Sequence, residues 1–432
     1  MIAKTRRIAN TKNLTNHLPT KRYLNPENVY FAVTNARCPK GEVLVKEGEY
    51  VKLGQKIGMR YGPFFEQAIH STVSGTVVGI VKKFHRSGKL VEFIQVKNDM
   101  KDTPVETIHE RTEEEIAALT LEDYARITKE HSLVGLGGSS FPTYIKFQTK
   151  DPIDTILVNG VECEPYLSAD HRLIIEFTEE IFYGCKYALQ AFKAKKLMIC
   201  IKEIYDDLYD TLCAEATRFP ELPIEIKKVG NYYPQGWEIE MIKSATGIHV
   251  PSGVLPAKLG LMVFNVSTIM GLYRAIKLNM PVVERNFTLN GDGIKYPQNY
   301  RLRIGTPLKE IIDFSGGYTD DSDKVLILGG PMMGANLVRD DAVITKTCTS
   351  CIILNAKKEK EEPCVRCASC VYSCPAGLKP VAIMQAVKNG DKEALKNELN
   401  IKACILCGMC SYTCTSKIHL TEYCRKAKKL AM

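Results

Sequence analysis

The 432-residue chain is 45% hydrophobic and 25% charged, with 16 cysteines and a formal net charge of +9. These proportions describe a globular chain of two to four domains. The lack of any apolar run of 18 residues excludes a membrane-spanning helix. The N-terminal "MIAKTRRIANTKNLTNHLPTKRYLNPENVYF" is basic but has no apolar core, so it is not a secretory signal, and a cytoplasmic location is expected. Eight of the cysteines fall in two tight groups, which favours metal binding over disulfides. No aromatic-interleaved basic patch accompanies the charge, so nucleic acid is not an expected partner.

Residues 1–30 read as an N-terminal extension. Residues 31–100 alternate β-branched and polar residues between glycines, which predicts short strands. "EGEYVKLGQKI" followed by "IHSTVSGTVVGI" resembles the barrel-sandwich hybrid of biotinyl and lipoyl domains. The matching hairpin, "RYGPFFEQ", has no lysine to acylate, so a packing module is expected. Residues 101–130 are charged and helical, a linker-like passage into the next domain, taken as 101–280. There, apolar runs ("DTILVNG", "KLMICIKE", "LMVFNVST") alternate with amphipathic helices, the pattern of a largely parallel α/β sheet. Residues 285–354 return to strands and turns, and "NAKKEKEEP" opens a last unit, 355–432, as a charged linker.

In that unit Cys364, Cys367, Cys370 and Cys374 are spaced C-x2-C-x2-C-x3-C, followed by Pro375. Cys404, Cys407, Cys410 and Cys414 repeat the spacing, followed by Thr415. Three thiolates from one tight turn cap three irons of a cubane, and in two-cluster folds the fourth cysteine serves the other cluster. One [4Fe-4S] cluster is therefore expected on Cys364, Cys367, Cys370 and Cys414, the other on Cys404, Cys407, Cys410 and Cys374. Zinc would ask for ligands in separated pairs. "VAIMQAVKNGDKEALKN" between the cassettes predicts a helix, hence an α-helical dicluster domain. Cys348 and Cys351 form a lone C-x2-C, read as structural or free thiols. Cys38, Cys185, Cys200, Cys213 and Cys424 are isolated and read as small buried hydrophobes. Residues 401–432 hold six Lys or Arg against Glu422, which suits a solvated helix face, an acidic partner or an anionic membrane surface.

Two stretches could supply electrons. In "GLGGSSFPTYIKF" (135–147) small residues let backbone N–H groups approach a phosphate or a ring, though an ordinary tight turn has the same look. "ILVNGVECEP" (156–165) ends an apolar strand and presents Asn159, Glu162 and Glu164, and ligand sites in α/β sheets lie at such strand ends. A solvated turn or a helix cap would read alike.

The first stretch looks like the glycine-rich loop of the complex I flavin subunit, and "VNGVECEP" is similar to a second segment of that family. "YYPQGWEIEMI" (232–242) and "FNVSTIMGLYRAI" (264–276) look like its two later flavin-side segments. "NGDGIKYPQNYRLRIGTPLKEII" with "LILGGPMMGANL" resembles the SLBB β-grasp module. The order of the parts resembles the RnfC family, the NADH-side subunit of the membrane-bound Rnf-type ferredoxin:NAD oxidoreductase. The implied architecture is multidomain α/β: barrel-sandwich hybrid, Rossmann-like FMN/NAD domain, SLBB domain and α-helical dicluster ferredoxin domain.

The resemblance implies noncovalent FMN, NAD(H) and two [4Fe-4S] clusters. Hydride would pass between NAD(H) and FMN with no side-chain acid or base, and single electrons through the clusters. Gly135, Gly137 and Gly138 would line flavin and nucleotide, Phe141 would stack on the nucleotide, and Lys146 would meet the FMN phosphate or ring edge. Asn159 and Glu162 would hold the flavin, Glu164 the nicotinamide, and Gly236, Glu238, Asn265 and Thr268 would close the pocket. Implied partners are a ferredoxin-side iron–sulfur subunit, integral-membrane subunits and, indirectly, ferredoxin, with the chain peripheral on the cytoplasmic face. The same domain set also suits a soluble NADH-dependent reductase feeding cobalamin or another enzyme. Val161 stands where the complex I loop has an acid, Cys163 stands where it has glycine, and the N-terminus lacks the "GGIH" opening common in RnfC proteins.

Overall fold

A computed structural model describes residues 7–357 and 359–431. Two antiparallel sheets build the first module. One runs Asn28–Ala32, Leu90–Asn98, Gly75–Phe84, Tyr50–Val51, and the other Lys40–Val43, Lys56–Tyr61, Glu66–His70. Alternate residues of each strand point between the sheets, where Val29, Val51, Ile57, Ile69, Val77, Ile94 and Val96 form the core. The hairpin joining Lys56–Tyr61 to Glu66–His70 carries the exposed Phe64 at its tip.

The second module is a four-stranded, all-parallel sheet ordered Ile224–Val229, Lys196–Lys202, Thr155–Asn159, Leu261–Asn265. Its inner strands are apolar at successive positions because both faces are covered. Ile156, Val158, Leu197 and Ile199 face the helices Thr178–Phe192 and Val266–Lys277, while Leu157, Met198 and Cys200 face Glu238–Thr246. The passage over 101–130 differs from the linker expected of it. Its helices, Glu113–Ala117 and Leu121–Glu130, each open with a capping box, Thr112 with Glu115 and Thr120 with Asp123. Ile116, Tyr124 and Ile127 recur at helical spacing and sink into the core, so the charges occupy only the outer face.

A six-stranded mixed sheet forms the third module, ordered Lys21–Tyr23, Gln298–Arg303, Glu284–Asn290, Ser350–Asn355, Lys324–Leu328, Ala335–Leu337. Cys348 and Cys351 are fully buried beside Phe287, Ile344 and Ile353. The edge strand Lys21–Tyr23 comes from the N-terminal residues, which are woven into the fold. The Thr15 hydroxyl lies 2.6 Å from that of Ser168, Asn299 Nδ2 donates to the Thr15 carbonyl (2.9 Å), and Gln298 Nε2 donates to that of Pro19 (2.5 Å).

The last unit repeats itself at an offset of 40 residues. Short helices Ser369–Tyr372 and Met409–Tyr412 correspond, as do Pro380–Asn389 and Leu420–Leu430. The left-handed residues of the first cassette, Arg366, Ala368 and Gly377, match Leu406, Gly408 and Lys417 of the second. The two halves meet at a hydrogen bond between the Ser373 and Thr413 hydroxyls, 3.0 Å.

Candidate flavin and iron–sulfur site

Thr155–Asn159 and Leu261–Asn265 end side by side, with Asn159 opposite Asn265 in register. The chain turns away beyond both, leaving a cavity of about 500 Å³ at the C-terminal edge of the sheet. All twelve flavin and nucleotide residues expected from sequence line it: Gly135, Gly137, Gly138, Phe141, Lys146, Asn159, Glu162, Glu164, Gly236, Glu238, Asn265 and Thr268.

Several of these side chains hold the walls together. Thr268 is buried, and its hydroxyl accepts the Leu136 N–H (2.9 Å), pinning the glycine loop to helix Val266–Lys277. Asn265 caps that helix by accepting the Ser267 N–H (3.0 Å) and donates to Asp170 (2.8 Å). A Cβ on Gly137 would lie 2.7 Å from the Asn265 side chain, so glycine there permits the close packing. Gly138, in contrast, is left-handed (φ 104°) with open space where a Cβ would stand. Asn159 donates to the Gly236 carbonyl (2.9 Å). Lys146 donates to the Val263 carbonyl, with its ammonium 4.9 Å over the Phe264 ring. Burial lowers its pKa, offset in part by Glu238.

Glu162 and Glu164 have different surroundings. Glu162 takes a left-handed backbone (φ 38°) and pairs with the buried Lys12 at 3.3 Å. It also accepts the Asp170 N–H (2.9 Å). Glu164 accepts the Met332 N–H (2.9 Å) and the Tyr233 hydroxyl (3.4 Å), and burial raises its pKa to about 7. Gly330 lies so close that a Cβ would fall 2.3 Å from the Glu164 carboxyl. Burial pushes Cys163 up to about 11, which keeps it a thiol, packed beside Tyr233 and Cys407.

Sequence reasoning missed part of this wall. Gly329, Gly330, Met333 and Gly334 also line the cavity, and the double glycine of "GGPMMG" is their signal, which on its own marks only the third module. Asp170, Arg86 and Ile405 line it too. Lys12 reaches it from 150 residues away, with no local signal.

The second cassette borders this cavity. Ile405 lines both it and a smaller cavity walled by Cys404, Cys407, Cys410 and Cys374. Cys374 thus joins the three cysteines of the other cassette. Thiolate ligands of iron–sulfur clusters accept N–H···S bonds. Here Leu378 N–H donates to Cys374 (3.3 Å), Ile418 N–H to Cys414 (3.4 Å) and Leu406 N–H to Cys404 (3.5 Å). The donor set and its cross-over fit a cubane. The glycine-walled cleft, with Lys146 and the N-terminal turn of Val266–Lys277, fits a planar phosphate-bearing group. Tyr233 joins the two regions: its hydroxyl donates to the Cys407 carbonyl (2.8 Å) and lies 3.4 Å from Glu164.

This fold and site define an iron–sulfur flavoprotein of the complex I flavin-subunit type. Four family models match in chain order. They are the RnfC barrel-sandwich hybrid domain (6–101), the Nuo51 FMN-binding domain (128–274), the SLBB domain (286–336) and the 4Fe-4S dicluster domain (356–415). The RnfC protein of the Na(+)-translocating ferredoxin:NAD(+) oxidoreductase complex of Acetobacterium woodii is 33% identical over 353 residues, 79% of this chain and 77% of that protein. Its counterpart in the proton-translocating complex of Clostridium ljungdahlii is 31% identical over 396 residues, 90% of this chain and 85% of its own. The counterpart in the ion-translocating oxidoreductase complex of Rhodobacter capsulatus is 33% identical over 361 residues, covering 82% and 68%. The chain belongs to this family, RnfC, of oxidoreductase-complex subunits. In fold it is also similar to a chain of an NAD+-reducing [NiFe]-hydrogenase, with TM-score 0.52, 17% identity, and coverage of 70% of this chain and 63% of that one. Among the described residues no helix is long and apolar enough to cross a membrane.

Proposed function

We propose that this chain is the NAD(H)-linked subunit of an Rnf-type ferredoxin:NAD oxidoreductase. It would sit peripherally on the cytoplasmic face beside integral-membrane subunits and a ferredoxin-side iron–sulfur subunit. The observation that carries the reading is that all twelve expected flavin and nucleotide residues line one cavity, and that this cavity abuts a four-cysteine cassette through Ile405.

In this reading FMN is held noncovalently in the cavity, and one [4Fe-4S] cluster in each crossed set of cysteines. When bound, the flavin exchanges a hydride with NAD(H) and the clusters carry single electrons. The protein binds and orients. The glycine loop gives close backbone approach, Lys146 and the Val266–Lys277 N-terminus offset phosphate charge, Asn159 fixes the loop after its strand, and Glu164 orients the nicotinamide. The set of Cys404, Cys407, Cys410 and Cys374 is the nearer electron acceptor, and that of Cys364, Cys367, Cys370 and Cys414 is the outlet to the partner. The modules divide at about residues 30, 100, 280 and 354.

Anaerobic protein should carry one FMN and about eight irons with matching sulfide. NADH should still reduce one cluster in Cys364→Ser but only the flavin in Cys407→Ser, read by electron paramagnetic resonance and visible spectra. Zinc without sulfide, or equal cluster reduction in the two variants, would overturn the reading.

A further inference from the structure

Beside the flavin cavity lies a second one of about 410 Å³, between the barrel-sandwich module and the rest. The two share Arg86, Gly138, Ser139 and Thr347, so they form two chambers with a common waist. Their charges are opposite. The flavin chamber is lined by Arg86 and Lys146 against Glu162, Glu164, Asp170 and Glu238. The second chamber is lined by Arg37, Arg60, Arg86 and Lys346 with His70 and His85, and by no Asp or Glu among the described residues.

None of those four cations has an acidic partner within ion-pairing distance among the described residues. Arg60 donates to the Ala32 carbonyl (2.8 Å), Arg37 to that of Ser139 (2.7 Å), Lys346 to that of Ser132 (3.0 Å) and Arg86 to that of Thr347 (3.4 Å). His70 Nδ1 is buried without a hydrogen-bond partner. Burial, with Arg60 nearby, lowers Lys346 to about 7, and burial lowers Arg60 to about 10. Gathering cations away from water with no counter-charge is costly, and a bound anion offsets that cost. A cavity of this size suits a small organic ligand.

We propose that this chamber binds the diphosphate of a nucleotide, the ADP half of the dinucleotide whose nicotinamide end enters the acid-lined chamber. The barrel-sandwich module then supplies a phosphate-binding wall. The proposal rests on the NAD(H) reading above. A dinucleotide running through the waist sets its two phosphates against Arg86 and Lys346 and keeps them from Glu162 and Glu164.

The test uses the anaerobic holoprotein. ADP, titrated by calorimetry, should bind and should compete with NADH. Lys346→Met and Arg86→Gln should each weaken ADP and raise the KM for NADH about tenfold, leaving kcat, FMN content and iron nearly unchanged. Inorganic phosphate should compete only at far higher concentration. Unaltered ADP affinity and KM in both variants would overturn the proposal. Loss of FMN from them would also overturn it, by giving the chamber to the flavin phosphate. Should Lys346→Met not fold, Arg86→Gln at the half-exposed waist decides alone. Should wild-type protein fail to oxidise NADH, the functional reading falls, while the ADP titration still decides the chamber.

Discussion

Glu164 shows how one residue can be legible in sequence and still have its character set elsewhere. Its position after an apolar strand marks it, but its pKa near 7 comes from burial under the Met332 loop. A carboxyl raised in the folded state stabilises fully below the unfolded value near 4.5, and that contribution is lost as pH rises through 7. Wild-type stability should therefore fall by about 2 kcal/mol between pH 5 and pH 8 from this group. Glu164→Gln should flatten that slope in denaturant titrations, retain FMN and lower NADH-dependent reduction of an artificial acceptor. Gly330→Ala tests the same contact from the other side. Its Cβ must displace the carboxyl, so NADH-dependent turnover should drop at least tenfold with FMN still bound, measured by steady-state kinetics.

At the scale of elements, the cassettes are the plainest part of the sequence, because four cysteines at fixed spacing leave few alternatives. The expected crossing agrees with the cavity, which groups Cys374 with Cys404, Cys407 and Cys410. Cys374→Ser should therefore remove the cluster of the second cassette. Iron should fall from about eight to about four per chain, and the remaining paramagnetic signal should match that of Cys407→Ser rather than Cys364→Ser. The parallel sheet is equally legible, since strands buried on both faces are apolar throughout. The helices over 113–130 are recognisable as helices but not as core. Charge dominates their composition, and burial depends only on the few apolar residues facing inward.

At the scale of the whole molecule, pieces far apart in sequence complete one site. The glycine loop and strand ends can be read locally. The wall from "GGPMMG", the ion pair from Lys12 and the cations of the barrel-sandwich module cannot, because each is set by how modules dock. Lys12 and Glu162 are both buried, so removing one leaves an uncompensated charge. Lys12→Met should cost about 3 kcal/mol in denaturant unfolding and weaken FMN retention. The double variant with Glu162→Gln should regain much of the stability.

The woven N-terminal segment also sets an order in time. Thr15 finds Asn290 and Asn299 at separations of 275 and 284 residues, and Lys21–Tyr23 pairs with Gln298–Arg303. The earliest part of the chain to be synthesised thus waits until the third module emerges before it can be seated. Until then the parallel sheet can form while the floor under Glu162 stays open. Flavin capture is therefore a late event in the birth of this protein, following rather than guiding the folding of its own domain.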